Sequence, residues 1–142
     1  MNVLFICVAN SGRSVMAERI ANQIAAGRHH AESAGSEPGE APHAVVVEAL
    51  DEIGIDAREH VPRKLTDTIV AQADVVVSTC GEEACPVTPP GTRRIYWDLP
   101  DPKNEPIDRV RQIRDDIHGR VQVLLRELTA AESGGKPLPS PR

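Results

Sequence analysis

The chain has 142 residues, the length of one domain and enough to bury a real core. It is 40% hydrophobic and 26% charged, the composition of a soluble globular protein, and its formal net charge of −5 argues against a nucleic-acid partner, which wants a basic face. With one Phe, one Tyr and one Trp, the core must come from Val, Ile, Leu and Ala. Arg93-Arg94 and the stretch from Arg109 to Arg120 are basic, and read as solvated faces. The start carries no signal-peptide pattern, and no apolar run is long enough to span a bilayer. The expectation is a cytoplasmic protein with no membrane partner. Structural disulfides are rare in that compartment, so the three cysteines are expected to be buried, metal-bound or catalytic.

In chain order, Asn2 to Ile6 is an apolar run ending at Cys7 and reads as a buried strand. Ala9-Asn10-Ser11-Gly12 is turn chemistry. Val15, Ile20 and Ile24, with Ala17, Ala21 and Ala25, predict a helix from Ser14 to near Gly27, with Met16 in the core. Ala31 to Ala34 predicts a short strand closed by Gly35. A loop of Gly, Ser and Pro follows, then a helix with Pro42 in its first turn and Gly54 as C-cap. A short helix is expected from Thr66 to Ala73. Asp74 to Thr79 is a β-branched run suited to a buried parallel sheet. Cys80 to Gly91 reads as loop, and Arg93 to Trp97 as a fourth strand. Val110, Ile113, Ile117, Val121, Leu124, Leu125 and Leu128 mark an amphipathic helix from Ile107 to Leu128. Residues 1–130 form the expected single catalytic domain, and the Gly/Pro/Ser-rich residues 131–142 a disordered tail.

Strands alternating with helices imply βαβ units and a parallel sheet, whose ligands bind at the carboxyl ends of the strands. Cys7, Cys80 and Asp98 each follow a predicted strand, which brings three reactive side chains to one edge. In the string Cys7-Val8-Ala9-Asn10-Ser11-Gly12-Arg13-Ser14, backbone N–H groups at a helix N-terminus form an anion-binding nest. Arg13 offers a planar fork for two oxygens of a tetrahedral oxyanion. The same positive field favours the thiolate of Cys7, making it nucleophilic at neutral pH. Ser14 can donate a hydrogen bond to the sulfur, and Asn10 tolerates a left-handed conformation. The nucleotide P-loop and dinucleotide fingerprints are absent.

At these residues the chain resembles the low-molecular-weight phosphotyrosine phosphatase superfamily. The resemblance implies an α/β fold of three αβα layers around a four-stranded parallel sheet, and a general acid at an Asp-Pro, here Asp101-Pro102; Asp98 ranks lower. Phosphatases of this family usually follow that Asp-Pro with tyrosines, whereas Lys103-Asn104 follows here. Ser14-Val15-Met16-Ala17-Glu18, Ser33-Ala34-Gly35, Gly54-Ile55-Asp56 and the segment Asp74 to Pro90, with Cys80 and Cys85-Pro86, resemble instead the arsenate reductase branch.

The function implied by that branch is conversion of arsenate to arsenite through a thiol-disulfide relay. Cys7 attacks arsenate while Asp101 helps water leave, Cys80 attacks the Cys7 sulfur, and Cys85 carries the disulfide outward. Thioredoxin or a low-molecular-weight thiol such as mycothiol or glutathione then reduces it. No cofactor is expected. The cysteine pair lacks the further ligands of a structural zinc site, and His29, His30, His43, His60 and His118 are scattered and read as surface or capping residues. Two departures stand out. Gly12 occupies a position that often holds a second cysteine. Some members bind potassium through Asn, Glu, Ser and Asp; Asn10, Glu18 and Ser33 match, but Arg63 stands where the Asp would be, so an arginine is expected in place of the cation and no metal. The alternatives are a phosphatase acting on a non-aromatic phosphoester, or a non-catalytic oxyanion-binding or redox-sensing protein.

Overall fold

The apolar run at the start becomes β1 (Asn2–Cys7), which pairs in parallel with β2 (His30–Gly35) on one side and β3 (Val75–Ser78) on the other. The register sets Cys7 opposite Gly35 and Ile6 opposite Ser78. β4 (Arg93–Tyr96) adds to β3, giving a four-stranded parallel sheet in the order β2-β1-β3-β4. The computed structural model describes residues 1–80 and 88–134. The remaining elements are α1 (Arg13–Ala25), α2 (Ala44–Asp51), α3 (Asp67–Ala71) and α4 (Ile107–Gly134).

Strand alternation divides β1 between two cores. Val3 and Phe5 face the larger cluster, built with Val15, Met16 and Ile20 of α1, Val46 and Leu50 of α2, and Ile113, Ile117 and Leu128 of α4. Leu4 and Ile6 face the smaller one, with Val76 and Val70 of α3. Helices thus cover both faces, and β1 is buried from Val3 onward. The two aromatic rings of the larger core, Phe5 and Trp97, pack with centroids 5.7 Å apart. From central β1 the chain moves outward to β2, and β3 returns to the other side. The strand order therefore reverses between β1 and β3, which opens a crevice at their carboxyl ends.

Two helix ends depart from the sequence reading. α2 begins at Ala44 rather than around Pro42, because His43 is extended and serves as its N-cap, with its N–H bonded to Ser11 O at 2.9 Å. At its other end Gly54 has φ +80, and Ile55 N bonds to Leu50 O, the expected glycine closure. α4 continues past residue 130, where a tail was expected, because Ala130, Ala131 and Glu132 are good helix formers. Residues 135–142 lie outside the described residues. The basic stretch on α4 is paired rather than merely solvated. Arg111 and Arg114 both bond Glu52 after α2, and these bonds, led by Arg111, hold the Glu52 carboxyl down at about 2. Among the described residues no helix is long and apolar enough to cross a membrane.

Two of the five histidines are buried, contrary to the surface reading. His29 bonds Thr129 Oγ1 at 3.0 Å and lies 3.2 Å from the amino group of Met1, so it joins β2 to the end of α4. Burial, with the nearby ammonium, lowers its pKa below the ordinary 6.5. The folded state therefore favours the neutral ring, so this stability is present above 6.5 and is lost as pH falls below it. Between roughly pH 7.5 and 5.5, a range bracketing that ordinary value, the thermal midpoint of His29→Gln should fall less than that of the parent protein. Equal falls would remove His29 from the acid sensitivity.

Candidate active site

The segment after β1 is a loop whose peptides are turned by a second loop. Carbonyl oxygens of Cys7, Val8, Ala9 and Ser11 accept hydrogen bonds from the N–H groups of Ser36, Glu37, Gly39 and His43, at 3.2, 2.8, 2.9 and 2.9 Å. In a planar trans peptide the N–H points opposite to the carbonyl. Holding these carbonyls outward therefore points the next N–H groups inward, as an anion nest requires. Asn10 completes the turn with φ 51, in the left-handed region that Asn tolerates. Its N–H points at Cys7 Sγ at 3.2 Å. The two loops can lie this close only because residue 35 is glycine. A methyl group there would fall 2.5 Å from Val8 O and 2.9 Å from Asn10 N.

Cys7 is buried at the base of this loop, and its sulfur lies 2.9 Å from Ser14 Oγ. Asn10 Nδ2 donates to the same hydroxyl at 2.9 Å. Asn10 Oδ1 in turn accepts from the Arg63 N–H at 2.9 Å and lies 3.1 Å from His60 Nε2. A buried chain of polar contacts thus runs from His60 through Asn10 and Ser14 to the sulfur. Burial lowers the His60 pKa, against the opposing pull of Glu18. The arginine-for-cation expectation is corrected here. Arg63 reaches Asn10 through its backbone, and its guanidinium pairs with Glu32 at 2.6 Å, while Glu18 bonds Ser33. The ring beside Asn10 belongs to His60. Among the described residues no group of three or more His, Cys, Asp or Glu converges in a way that could hold a metal ion.

A cavity of about 200 Å³ opens above Cys7, lined by Val8, Ala9, Gly12, Arg13, His43, Asp101 and Lys103. Arg13, the first residue of α1, is mostly buried; it donates to Leu99 O at 3.0 Å and stands 3.9 Å from the Asp101 carboxylate. Lys103 N–H donates to the other Asp101 oxygen at 3.0 Å. Asp98 is exposed and outside the lining; it pairs instead as an isolated bridge with Cys80. Burial lowers His43, although the Asp101 carboxylate pulls it upward. A larger groove of about 560 Å³ between α1 and α4 has no cysteine or carboxylate among the described residues of its lining.

Cys80 is half-buried just beyond β3. Burial pushes its thiol above the ordinary range of 9.0. The charge of Arg13, the Ser78 side chain and the Val8 N–H pull it down, while Cys7 pushes it further up. Cys80 is therefore a neighbour of Cys7 and of the loop at the β1–β3 crevice. Cys85 lies outside the described residues. Cys7, Arg13, Ser14, Asp101 and Cys80 are thus gathered at one edge. His60, His43, Lys103 and the second loop from Ser36 to His43 were not anticipated there. The only sequence signals for that loop were Gly35 and Gly39 beside a turn-rich stretch.

Residues 2–133 match the family described as low molecular weight phosphotyrosine protein phosphatase. An arsenate reductase of Staphylococcus aureus is 36% identical over 118 residues, which cover 81% of this chain and 88% of the relative. A thioredoxin-dependent arsenate reductase of Corynebacterium glutamicum superposes with TM-score 0.78 at 34% identity; the match spans 92% of this chain and 62% of that one. A YwlE mutant from Bacillus subtilis superposes with TM-score 0.77 at 26% identity, over 91% of this chain and 99% of that one, and YwlE is an arginine phosphatase.

The approach of the two loops gives a direct test. Gly35→Ala should cost about 1–3 kcal/mol of unfolding free energy, as overpacking does, and weaken phosphate binding by turning loop peptides out of line. Denaturant unfolding and titration calorimetry measure both. Unchanged phosphate affinity would show that the close approach does not shape the nest.

Proposed function

The chain belongs to the low molecular weight phosphotyrosine protein phosphatase family, and within that family we propose that it is an arsenate reductase whose nucleophile is Cys7. The observation that carries the reading is the second thiol beside the first. A phosphatase needs only a nucleophile, an oxyanion grip and an acid. Cys80 adds what a reduction needs, a neighbouring sulfur for Cys7 to pair with. Similarity to curated arsenate reductases over most of the chain supports the same reading.

The chemistry follows from the side chains. Arsenate enters the nest, held by inward N–H groups and by the fork of Arg13. The Cys7 sulfur, steadied by Ser14 and the Asn10 N–H, attacks arsenic. Asp101 gives a proton to the departing oxygen, which leaves as water. The product is a Cys7 adduct of arsenic(V). Cys80, as thiolate, then attacks the Cys7 sulfur. A sulfur–sulfur bond forms, and the sulfur–arsenic bond breaks with its electron pair going to arsenic, which leaves as arsenic(III). The proton that Cys80 sheds ends on the released arsenite. Burial keeps Cys80 as a thiol at rest, and the positive charge of Arg13 favours its ionisation once the sulfur of Cys7 is bonded to arsenic. Cys85 receives the disulfide from Cys80 in this scheme, and thioredoxin or a low-molecular-weight thiol returns it to the reduced state. The Corynebacterium relative is thioredoxin-dependent, which supports thioredoxin as donor.

One observation favours a second activity at the same site. The described lining has no Phe, Tyr or Trp, and Tyr96 is on β4 under the Arg94 guanidinium. A phosphotyrosine would find no phenyl, phenol or indole ring in that described lining, whereas a non-aromatic phosphoester would meet Val8, His43 and Lys103. That hydrolysis uses Cys7, Arg13 and Asp101 and ends when water attacks the Cys7 adduct.

The cysteines separate the two activities. Cys7→Ser should abolish both, measured as arsenite release and as hydrolysis of p-nitrophenyl phosphate. Cys80→Ser should stop thioredoxin-supported turnover of arsenate and leave any hydrolysis intact. Sustained thioredoxin-supported turnover without Cys80 would overturn the relay. Arg13→Lys keeps the charge but loses the two-pronged grip, and kcat/KM should fall by at least about 2 kcal/mol of transition-state stabilisation, roughly thirtyfold. A variant within about twofold of the parent would contradict the role of the guanidinium.

A further inference from the structure

Gly12 lies inside the oxyanion loop at a point where two other segments converge. A methyl group at residue 12 would fall 2.8 Å from Pro102 Cγ, 3.4 Å from Pro102 Cδ and 3.3 Å from His43 Cδ2. The first distance is shorter than carbon atoms tolerate, and the ring of a proline is not a flexible tip that swings aside. Pro102 is buried against the backbone of the loop, while Asp101 beside it lines the cavity. The same turn is fastened on the far side by the Arg13 bond to Leu99 O and by the Lys103 N–H on Asp101 Oδ1. These bonds fix the height and direction of the turn. The missing side chain at Gly12 fixes how far it descends.

We propose that Gly12 is a positioning residue, whose bare backbone lets Pro102 close onto the oxyanion loop and so holds the Asp101 carboxyl over the sulfur of Cys7. The inference rests on the reading of Asp101 as proton donor. It goes further in assigning a function to a side chain that is absent. The resemblance drawn from the sequence often places a cysteine at residue 12, and a glycine stands there in this chain. Its consequence is selective. Enlarging residue 12 lifts the acid, so it weakens protonation of the leaving oxygen more than any step that needs no proton. General-acid catalysis is worth about 10²–10⁴-fold, and a turn lifted by only an ångström or so forfeits a part of it.

The test compares Gly12→Ala, Asp101→Asn and the double variant with the parent protein. Arsenite formed in a single turnover, and hydrolysis of phenyl phosphate against p-nitrophenyl phosphate, report the acid. Gly12→Ala should lose about tenfold or more in arsenite formation, a share of the general-acid factor. It should lose far more on phenyl phosphate than on p-nitrophenyl phosphate, whose leaving group needs no proton. Added to Asp101→Asn, it should not widen the gap between the two esters further, because the acid it displaces is already gone. A gap that widens again in the double variant, or equal losses on the two esters in Gly12→Ala, would overturn the proposal. Hydrogen exchange of residues 99–103, faster in Gly12→Ala with residues 8–12 unchanged, reads the seating without any turnover, so it decides the placement even where the parent forms no arsenite. Pro102→Ala removes the same contact from the other side and should reproduce the pattern if Gly12→Ala folds poorly; an unaltered rate and exchange in it would also overturn the proposal.

Discussion

The site depends on where four carbonyl groups point. Left free, the peptides after β1 would point their N–H groups in any direction. The N–H groups of Ser36, Glu37, Gly39 and His43 take the carbonyls of Cys7, Val8, Ala9 and Ser11, and the nest is built before any anion arrives. That preorganisation is what an oxyanion site needs, since donors already in place require no rearrangement during reaction. The same bonds explain features that otherwise look unrelated. Residue 35 must be glycine for the loops to meet, and the N-cap of α2, His43, is also the residue whose N–H ties the second loop to Ser11 O.

Charge is distributed to match. The chain is acidic overall, with a formal net charge of −5. Yet the cavity above Cys7 collects Arg13 and Lys103, with Asp101 as the one carboxylate among the described residues of its lining. Many of the other arginines are bound elsewhere, Arg111 and Arg114 to Glu52, Arg58 to Asp56 and Arg63 to Glu32. An anion approaching the molecule therefore meets a local positive mouth in a negative surface, and low-dielectric walls strengthen that field. Behind the sulfur, the contacts through Ser14 and Asn10 to His60 are buried and uncharged at neutral pH, so they orient the nucleophile without competing for the oxyanion.

Much of this was legible in the sequence wherever the chemistry is local. The β-branched run before Ser78 and the apolar run before Cys7 could only be buried strands. Turn residues between Cys7 and Arg13, ahead of a helical pattern, implied an anion nest. Asp101 separated from Asp98 through the resemblance; in the structure Asp101 lines the cavity and Asp98 does not. What escaped was non-local. His60 is 50 residues from Asn10, and nothing in its neighbourhood marks it as buried. His43 looked like an ordinary cap and is one, but its ring also reaches the cavity. Arg63 was read by its side chain, whereas its backbone makes the contact with Asn10. Gly12 was noticed for the cysteine it lacks, and only the packing of Pro102 shows what the vacancy permits.

In the proposed reaction Cys7 ends its encounter with arsenate joined to another sulfur of the same chain. Fully reduced protein mixed with arsenate and no reductant, quenched in acid and alkylated, answers it by peptide mass mapping. One arsenite should be released per chain, with two of the three cysteines protected from alkylation. The protected pair should be Cys7 with Cys80, or Cys80 with Cys85 once the disulfide has been handed on. All three cysteines still alkylated, with no arsenite in solution, would contradict it.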